Sequence, residues 1–314
     1  MLDTRLKIFQ MAALHRNFTR AAAALGMSQP NVTGQIRRLE EELGVELFVR
    51  DGRTLSLSHA GEVLLKSADA LLELSENTVR MVRNAASESR LLRLGATLTA
   101  GGYVLPHLAV DYMRRYRNVR LELTVANTEE IADRLKKHFL DLALVEGPFD
   151  ERFFLAEQLL SDELLVAGSP ELPIFRRGEP VGCAELVRSG LPLLLREKGS
   201  GTRFHFDAFA RRYGVVPGEA AGGILELNSP EAIKGMIRTG FGVTVISELA
   251  IRDELAAGTL AALRFREGML RRAMNFIYLP DGALRFCEEF VTSCRRFVRA
   301  GAGVPGQDLS GDAF

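Results

Sequence analysis

Cysteine is scarce in this 314-residue chain. Cys183, Cys287 and Cys294 are too few and too scattered for a disulfide framework. None belongs to a C-x-x-C pair or sits among metal-spaced histidines, so no metal is expected and a reducing cytoplasm is. No uncharged apolar run reaches 18 residues, which excludes a membrane-spanning helix. The opening Met1-Leu2-Asp3-Thr4-Arg5 lacks the apolar stretch of a signal peptide, so the expectation is a cytoplasmic protein with no membrane partner. Catalytic signatures are missing as well. The five histidines make no H-x-x-x-H pair, and neither a G-x-S-x-G elbow nor a P-loop occurs, so no catalytic residue and no cofactor is assigned. Net charge is absent too, with 40 basic residues against 40 acidic ones.

A zero total argues against a nucleic-acid partner only if the charge is evenly spread, and it is not. Residues 1–38 hold Arg5, Lys7, Arg16, Arg20, Arg37 and Arg38 against Asp3, a local charge of +5. Leu6, Phe9, Met11, Ala13 and Leu14 mark one short helical face. Thr19 is expected to cap a second helix, Arg20 to Leu25, whose Ala21 to Ala24 admit a close neighbour and which ends at Gly26. Ser28 offers a further N-cap with Pro30 in the first turn, and Gly44 closes that helix. Val32, Ile36, Leu39 and Leu43 form its expected buried stripe. Opposite them, Gln29, Thr33 and Arg37 recur at i, i+4 and i+8, an amide, a hydroxyl and a guanidinium suited to base edges and phosphates in a major groove. A polar, arginine-bearing face is also what any solvated helix shows. The alanine-rich helix and tight turn before it favour DNA. Leu47 to Arg50, a turn at Asp51-Gly52-Arg53, and Thr54 to Ser58 read as a hairpin, with Arg50 and Arg53 placed for phosphate or simply for solvent.

Phe18-Thr19-Arg20-Ala21-Ala22, Leu25 to Thr33, Ile36-Arg37-Arg38-Leu39-Glu40, Leu43-Gly44, Leu47-Phe48 and Arg50 together resemble the winged-helix signature of LysR-type transcriptional regulators. Asn31 and Thr33 depart from the alanine and serine more usual there, which bears on operator preference. The resemblance implies double-stranded promoter DNA as a partner, contacted by Thr19, Arg20, Ser28, Gln29, Pro30, Asn31, Thr33, Gln35, Arg37, Arg38, Arg50 and Arg53.

Beyond this 1–58 region, Leu65, Leu72 and Val79 recur every seven residues, as do Ala68, Ser75 and Val82, giving a coiled-coil-like seam to about residue 86. The stripe packs either on its own domain or on a second copy, and its length favours the second. The equivalent helix in the resembled family forms the dimer, so residues 59–90 are expected to be a dimerisation helix and hinge in a homodimer or homotetramer. Residues 87–90 read as the linker.

From residue 91 strand-like runs alternate with helical ones: Leu91 to Ala96, Leu121 to Val125, Leu142 to Val145, Leu164 to Ala167, Leu193 to Leu195, Ile224 to Leu227 and Val243 to Ile246. The fold class is therefore α/β. An internal repeat at an offset of 101 residues aligns Asn127-Thr128 with Asn228-Ser229, Glu130 with Glu231, and Leu142, Leu144 and Val145 with Val243, Val245 and Ile246. Two similar lobes imply a cleft, with hydroxyl-bearing helix starts at the carboxyl ends of strands. Gly95-Ala96-Thr97, Tyr103 to Pro106 and Asn127-Thr128 resemble the effector-binding domain of the same family, whose fold is that of periplasmic binding proteins. The implied boundaries are 91–300, with lobe I at about 92–163 plus 268–300, lobe II at about 164–267, two crossover strands as hinge, and a flexible tail at 301–314. The implied effector residues are Thr97, Leu98, Thr99, Asn127, Thr128, Glu146, Ser200, Gly201, Thr202 and Asn228. Each hydroxyl among them also serves as a plain helix cap. Arg196 to Arg203 is similar to a stretch in the subgroup regulating carbon fixation and sulfur assimilation. The whole reads as a winged helix-turn-helix regulator answering a small anionic metabolite, with RNA polymerase as a further partner. A thiol redox regulator using Cys287 and Cys294, and an enzyme with an appended DNA-binding module, are the alternatives.

Overall fold

The computed structural model describes residues 4–51, 54–86, 90–280 and 285–300, and the chain divides near residue 87 into two compact units. Arg53, residues 87–89 of the linker and the 301–314 tail lie outside the described residues.

In the first unit, α1 (Thr4–His15), α2 (Phe18–Leu25) and α3 (Gln29–Leu43) are followed by a hairpin of β1 (Phe48–Asp51) and β2 (Thr54–Leu57), then by α4 (His59–Ala86). Ile8, Phe9, Ala12, Ala21, Val32, Ile36, Leu39 and Leu47 fill the core between them. Leu14 and Leu43, expected inside, are 72% and 46% exposed, because both stand at the last turn of their helices, past the packed stripe. The cap of α2 is Asn17, whose side chain accepts from Thr19 N and Arg20 N; Thr19 is already inside the first turn, two residues past the cap. Gly26 and Gly44 both sit at left-handed φ, +65° and +70°, so each ends its helix where a Cβ would be strained.

α4 begins as part of this core. Ala68 is fully buried there with Leu64 and Leu65 packed around it, and Gln10 donates to Asp69 at 2.6 Å. Half of the expected intermolecular seam is therefore used within the chain. Leu72 is buried, Ser75 and Val79 are half-buried, and among the described side chains of α4 the exposed large apolar ones are Val63, Leu71, Leu74 and Val82.

The second unit holds β3 (Arg90–Thr97), a π-helical turn (Ala100–Val104), α5 (Leu105–Arg115), β4 (Val119–Ala126), α6 (Thr128–Lys136), β5 (Leu142–Val145), β6 (Leu155–Gly168), α7 (Pro173–Arg176), α8 (Cys183–Arg188), β7 (Leu193–Arg196), α9 (Gly201–Arg212), β8 (Ile224–Leu227), α10 (Pro230–Arg238), β9 (Val243–Ser247), α11 (Glu248–Ala256), β10 (Ala261–Leu263), β11 (Leu270–Tyr278) and α12 (Arg285–Arg299). The strands form one sheet in the order β4-β3-β5-β11-β6-β9-β7-β8, with β10 paired to β6. β4-β3-β5 and β8-β7-β9 are two copies of one parallel arrangement. Antiparallel β6 and β11 run between them: Leu155 to Leu164 of β6 pair with β11, and Leu164 to Gly168 pair with β9. β5, β7 and β9 are buried along their whole length, as strands covered on both faces must be.

Candidate functional site: recognition helix and inter-lobe cleft

On α3 the polar side chains stand opposite Val32, Ile36 and Leu39. Gln29, Asn31, Arg37 and Arg38 are exposed, Thr33 and Gln35 half-buried, and Gln29 Nε2 donates to Thr33 Oγ1 at 2.9 Å. Ser28 has the extended backbone of an N-cap, φ −78° and ψ 147°, yet its hydroxyl makes no cap bond. Pro30 occupies the first turn, and Thr19 and Arg20 are exposed at the start of α2. Among the described residues Arg20, Arg37 and Arg38 have no ion-pair partner, whereas Arg5 is spent on Glu42. The positive charge of α2 and α3 is thus free, and α3's first N–H groups add to it. Arg50 lies on β1, paired with Leu55.

The second site lies where the two lobes meet. β3, β4 and β5 of lobe I end together, delivering Thr97 to Thr99, Asn127-Thr128 and Glu146-Gly147 to one edge; from lobe II, β7 and α9 deliver Arg196 and Ser200 to Thr202. The approach is close. A Cβ on Gly201 would fall 2.7 Å from the Gly147 backbone, and one on Gly147 would fall 2.2 Å from Thr128 Oγ1. Glycine at both positions is what lets the lobes touch. Thr97, Thr99, Thr128, Glu146, Ser200 and Thr202 are all buried here. Leu98 and Asn127 are half-buried, Asn127 spending its side chain on Glu130 N as the cap of α6.

Asn228, matched to Asn127 by the 101-residue offset, is exposed and caps nothing. α10 is capped by Ser229, which accepts from Ala232 N at 3.2 Å. The repeat holds for the strands and slips by one residue at the helix start, since Pro230 shifts the first turn along.

The centre of the cleft is built from residues the pattern reading passed over. Asp162 of β6 and Arg272 of β11 are directly opposed across the antiparallel pair and their side chains are wholly buried. Arg272 Nε donates to Asp162 Oδ2 at 2.8 Å, Nη1 to Thr202 Oγ1 at 3.0 Å and Nη2 to Thr99 Oγ1 at 3.3 Å, so one guanidinium ties both lobes to the crossover strands. Ser247 donates to the other Asp162 oxygen at 2.8 Å. Glu146 lies 3.6 Å from Arg272 Nη1, and His205 of α9 meets the Glu146 carbonyl at 2.9 Å. Arg196 is held by Glu197, two bonds of 2.8 Å. Burial pushes the Glu146 carboxyl above the usual range, Arg272 only partly opposing it, and burial with Arg272 lowers His205.

Two buried polar atoms in this cleft have no partner, Thr128 Oγ1 and Glu146 Oε2. An unpaired buried donor or acceptor costs about 1–3 kcal/mol, so the closed cleft carries an unmet demand for hydrogen bonds. A cavity of ≈ 640 Å³ opens beside it, lined by Thr128, Glu129, Lys136, Phe149 and Phe154 of lobe I and Gly199 of lobe II. A second inter-lobe tie, Tyr103 OH to Glu231 at 2.6 Å, is backed by Lys234 at 2.8 Å from Glu231 and 2.9 Å from Glu254. The signal that would have found Asp162 and Arg272 is a pair of charges inside each of two apolar runs, Leu159 to Leu165 and Leu270 to Ile277.

All three thiols are buried and none is in a disulfide. Burial pushes Cys183 up to about 12 and Cys294 still further, against thiolate chemistry.

The sequence profile of the LysR substrate binding domain matches residues 85–300, and that of the bacterial regulatory helix-turn-helix protein, lysR family, matches residues 4–62. The chain is 33% identical over 257 residues to the HTH-type transcriptional regulator YeiE of Escherichia coli (strain K12), covering 82% of this chain and 84% of that one. It is 33% identical over 279 residues to the regulator CbbR of Rhodospirillum rubrum, covering 88% and 90%. Among solved structures, the Synechocystis PCC6803 CcmR regulatory domain in complex with 2-PG is 27% identical, with a TM-score of 0.57 over 65% of this chain and 97% of that one.

Proposed function

The chain belongs to the LysR family of transcriptional regulators, and from that premise we propose that a small anionic metabolite held in the inter-lobe cleft sets how a pair of its winged helices grips promoter DNA. The observation that carries the reading is the buried seam itself. Hydroxyls from both lobes and two helix N-termini converge on Thr128 and Glu146, and the Thr128 hydroxyl and one Glu146 oxygen lack partners. CcmR, whose regulatory domain is solved in complex with 2-PG, supports a small-molecule ligand for this domain.

In this reading residues 1–58 bind DNA through Ser28, Gln29, Thr33, Arg37 and Arg38, with Thr19, Arg20, Pro30, Asn31, Gln35, Arg50 and Arg53 around them. α4 pairs two copies through its exposed Leu71, Leu74 and Val82, with a homodimer or homotetramer as the result. Residues 91–300 sense, hinged on β6 and β11, and signal to RNA polymerase in the cytoplasm without chemistry on the ligand. The ligand must bind the two DNA-bound arrangements unequally to have any effect.

Thermal-shift screening against carboxylates, phosphorylated sugars and sulfur metabolites identifies the ligand; fluorescence anisotropy on a bound promoter fragment then reads its effect. A stabilising ligand that leaves the DNA complex unchanged, or that acts equally on Thr99→Val and Thr202→Val, defeats the proposal.

A further inference from the structure

Glu146 stands at the carboxyl end of β5 with one oxygen turned to Arg272 and the other unpartnered. The hydroxyl of Thr128, first residue of α6, is unpartnered as well and lies against Gly147, the next residue after Glu146. Opposite both is the start of α9. Its N-cap Ser200 makes no side-chain cap bond, and the N–H groups of Gly201, Thr202 and Arg203 fall in the first turn, where a helix supplies no internal acceptor. Donors predominate on this strip of the seam, as an oxyanion requires.

Charge makes the matter specific. The charged groups that face the Glu146 carboxyl are Arg272 from β11, Asp162 from β6 and Arg196 from β7, with the Thr99 hydroxyl bonded to it, while His205 from α9 meets the Glu146 backbone carbonyl. Arg272 is committed to Asp162, and Arg196 to Glu197. His205 is disfavoured as a cation by burial and by Arg272. Among the described groups that face Glu146, no uncommitted cation is left to neutralise both an ionised Glu146 and an incoming anion. Two like charges side by side in a buried site are strongly unfavourable, and the acid with the weaker claim on its charge takes a proton.

We propose that the pocket formed by Thr128, Glu146 and the N-terminus of α9 takes a small oxyanion together with one proton from solvent, the proton residing on Glu146 Oε2 and donated to the ligand as a hydrogen bond. The proton converts the unpartnered acceptor into a donor and removes the repulsion in one step. The backbone contact between Gly147 and Gly201 keeps the recognised group small, the head of a phosphate, sulfate or carboxylate, with any larger body directed to the cavity lined by Lys136 and Phe149. This inference rests on the reading of the cleft as the effector site.

The test is calorimetric titration of the full chain with sulfate and, separately, acetate from about pH 6 to about pH 8, a range in which neither probe changes its own charge. Binding should weaken toward high pH, approaching about tenfold per pH unit once Glu146 is ionised in the free protein. Glu146→Gln, a permanent neutral donor of the same shape, should bind with no pH dependence. Thr128→Val should bind about tenfold more weakly while melting no lower than the wild type, since it deletes a buried polar atom that has no partner. Sulfate preferred over acetate names a tetrahedral head, the reverse a carboxylate. A pH-independent wild type, failure of Glu146→Gln to bind, or no binding of either probe overturns the proton coupling. Binding unaffected by Thr128→Val places the anion elsewhere and removes the cleft reading with it.

Discussion

The recognition helix and the inter-lobe cleft assemble polar groups in opposite ways. On α3 the polar side chains Gln29, Thr33 and Arg37 are exposed or half-buried, come from one helix at i, i+4 and i+8, and lie outside the core. In the cleft they are buried, come from the ends of β3 and β5 and from β6, α6, α9 and β11, and the central ones, Arg272, Asp162, Thr99 and Thr202, are bonded to one another. The polar groups of α3 are therefore separable from stability, whereas in the cleft the polar side chains also hold the fold together. The contrast follows from dielectric: an exposed guanidinium is solvated at no cost, while a buried one needs its counterion.

Arg272→Met sharpens the contrast most. It strands Asp162 and removes the shared donor to Thr99 and Thr202, so a loss of about 3–5 kcal/mol is expected, the usual cost of breaking a buried ion pair from one side. Urea melts of the full chain check this, and a loss below about 1 kcal/mol would show that the cleft is no more entangled with folding than a surface pair. The neighbouring Glu146 has its folded pKa raised, so it contributes stability that is fully present below the unfolded value of about 4.3 and lost as pH rises through the folded value. Glu146→Gln should therefore flatten the acid-to-neutral decline in melting temperature; an unchanged slope would mean Glu146 is ionised throughout.

Arg37→Ala comes next and addresses the other side. With no partner to strand, it should leave the melt unchanged while weakening promoter binding by about 1–3 kcal/mol. Anisotropy titrations at several salt concentrations read both the affinity and the salt slope. A mutant that melts lower while binding normally would reverse the assignment of α3.

How much of each region was visible in the sequence follows from the same contrast. Gln29, Thr33, Arg37, Val32 and Ile36 lie within a few turns of one helix, so periodicity alone placed them on their faces, and Gly26 and Gly44 marked the ends correctly. The parallel β5 and β9 were readable as apolar runs, and the 101-residue offset related them. Asp162 and Arg272 were not readable, because they are 110 residues apart and only the pairing of β6 with β11 opposes them. The seam residue Ala68 was misread for a related reason: heptad spacing gives a face of α4 and cannot say which neighbour covers it, and α1 already does.

The smallest expected effect concerns the two helix starts of the recognition motif. Asn17 and Ser28 occupy equivalent N-cap positions with extended backbone, yet Asn17 bonds two N–H groups and Ser28 none. Asn17→Ala should therefore cost about 1 kcal/mol of stability, and Ser28→Ala less than about 0.5 kcal/mol. The unused Ser28 hydroxyl, at a helix N-terminus on the polar side of α3, is free to meet a phosphate. Ser28→Ala should then weaken DNA binding modestly, and to a similar extent on any sequence, because a phosphate contact carries no base information. If chemical melts instead find Ser28→Ala as destabilising as Asn17→Ala, the hydroxyl is a cap in solution. The helix start would then belong with the cleft, among groups whose bonding is already spent within the fold.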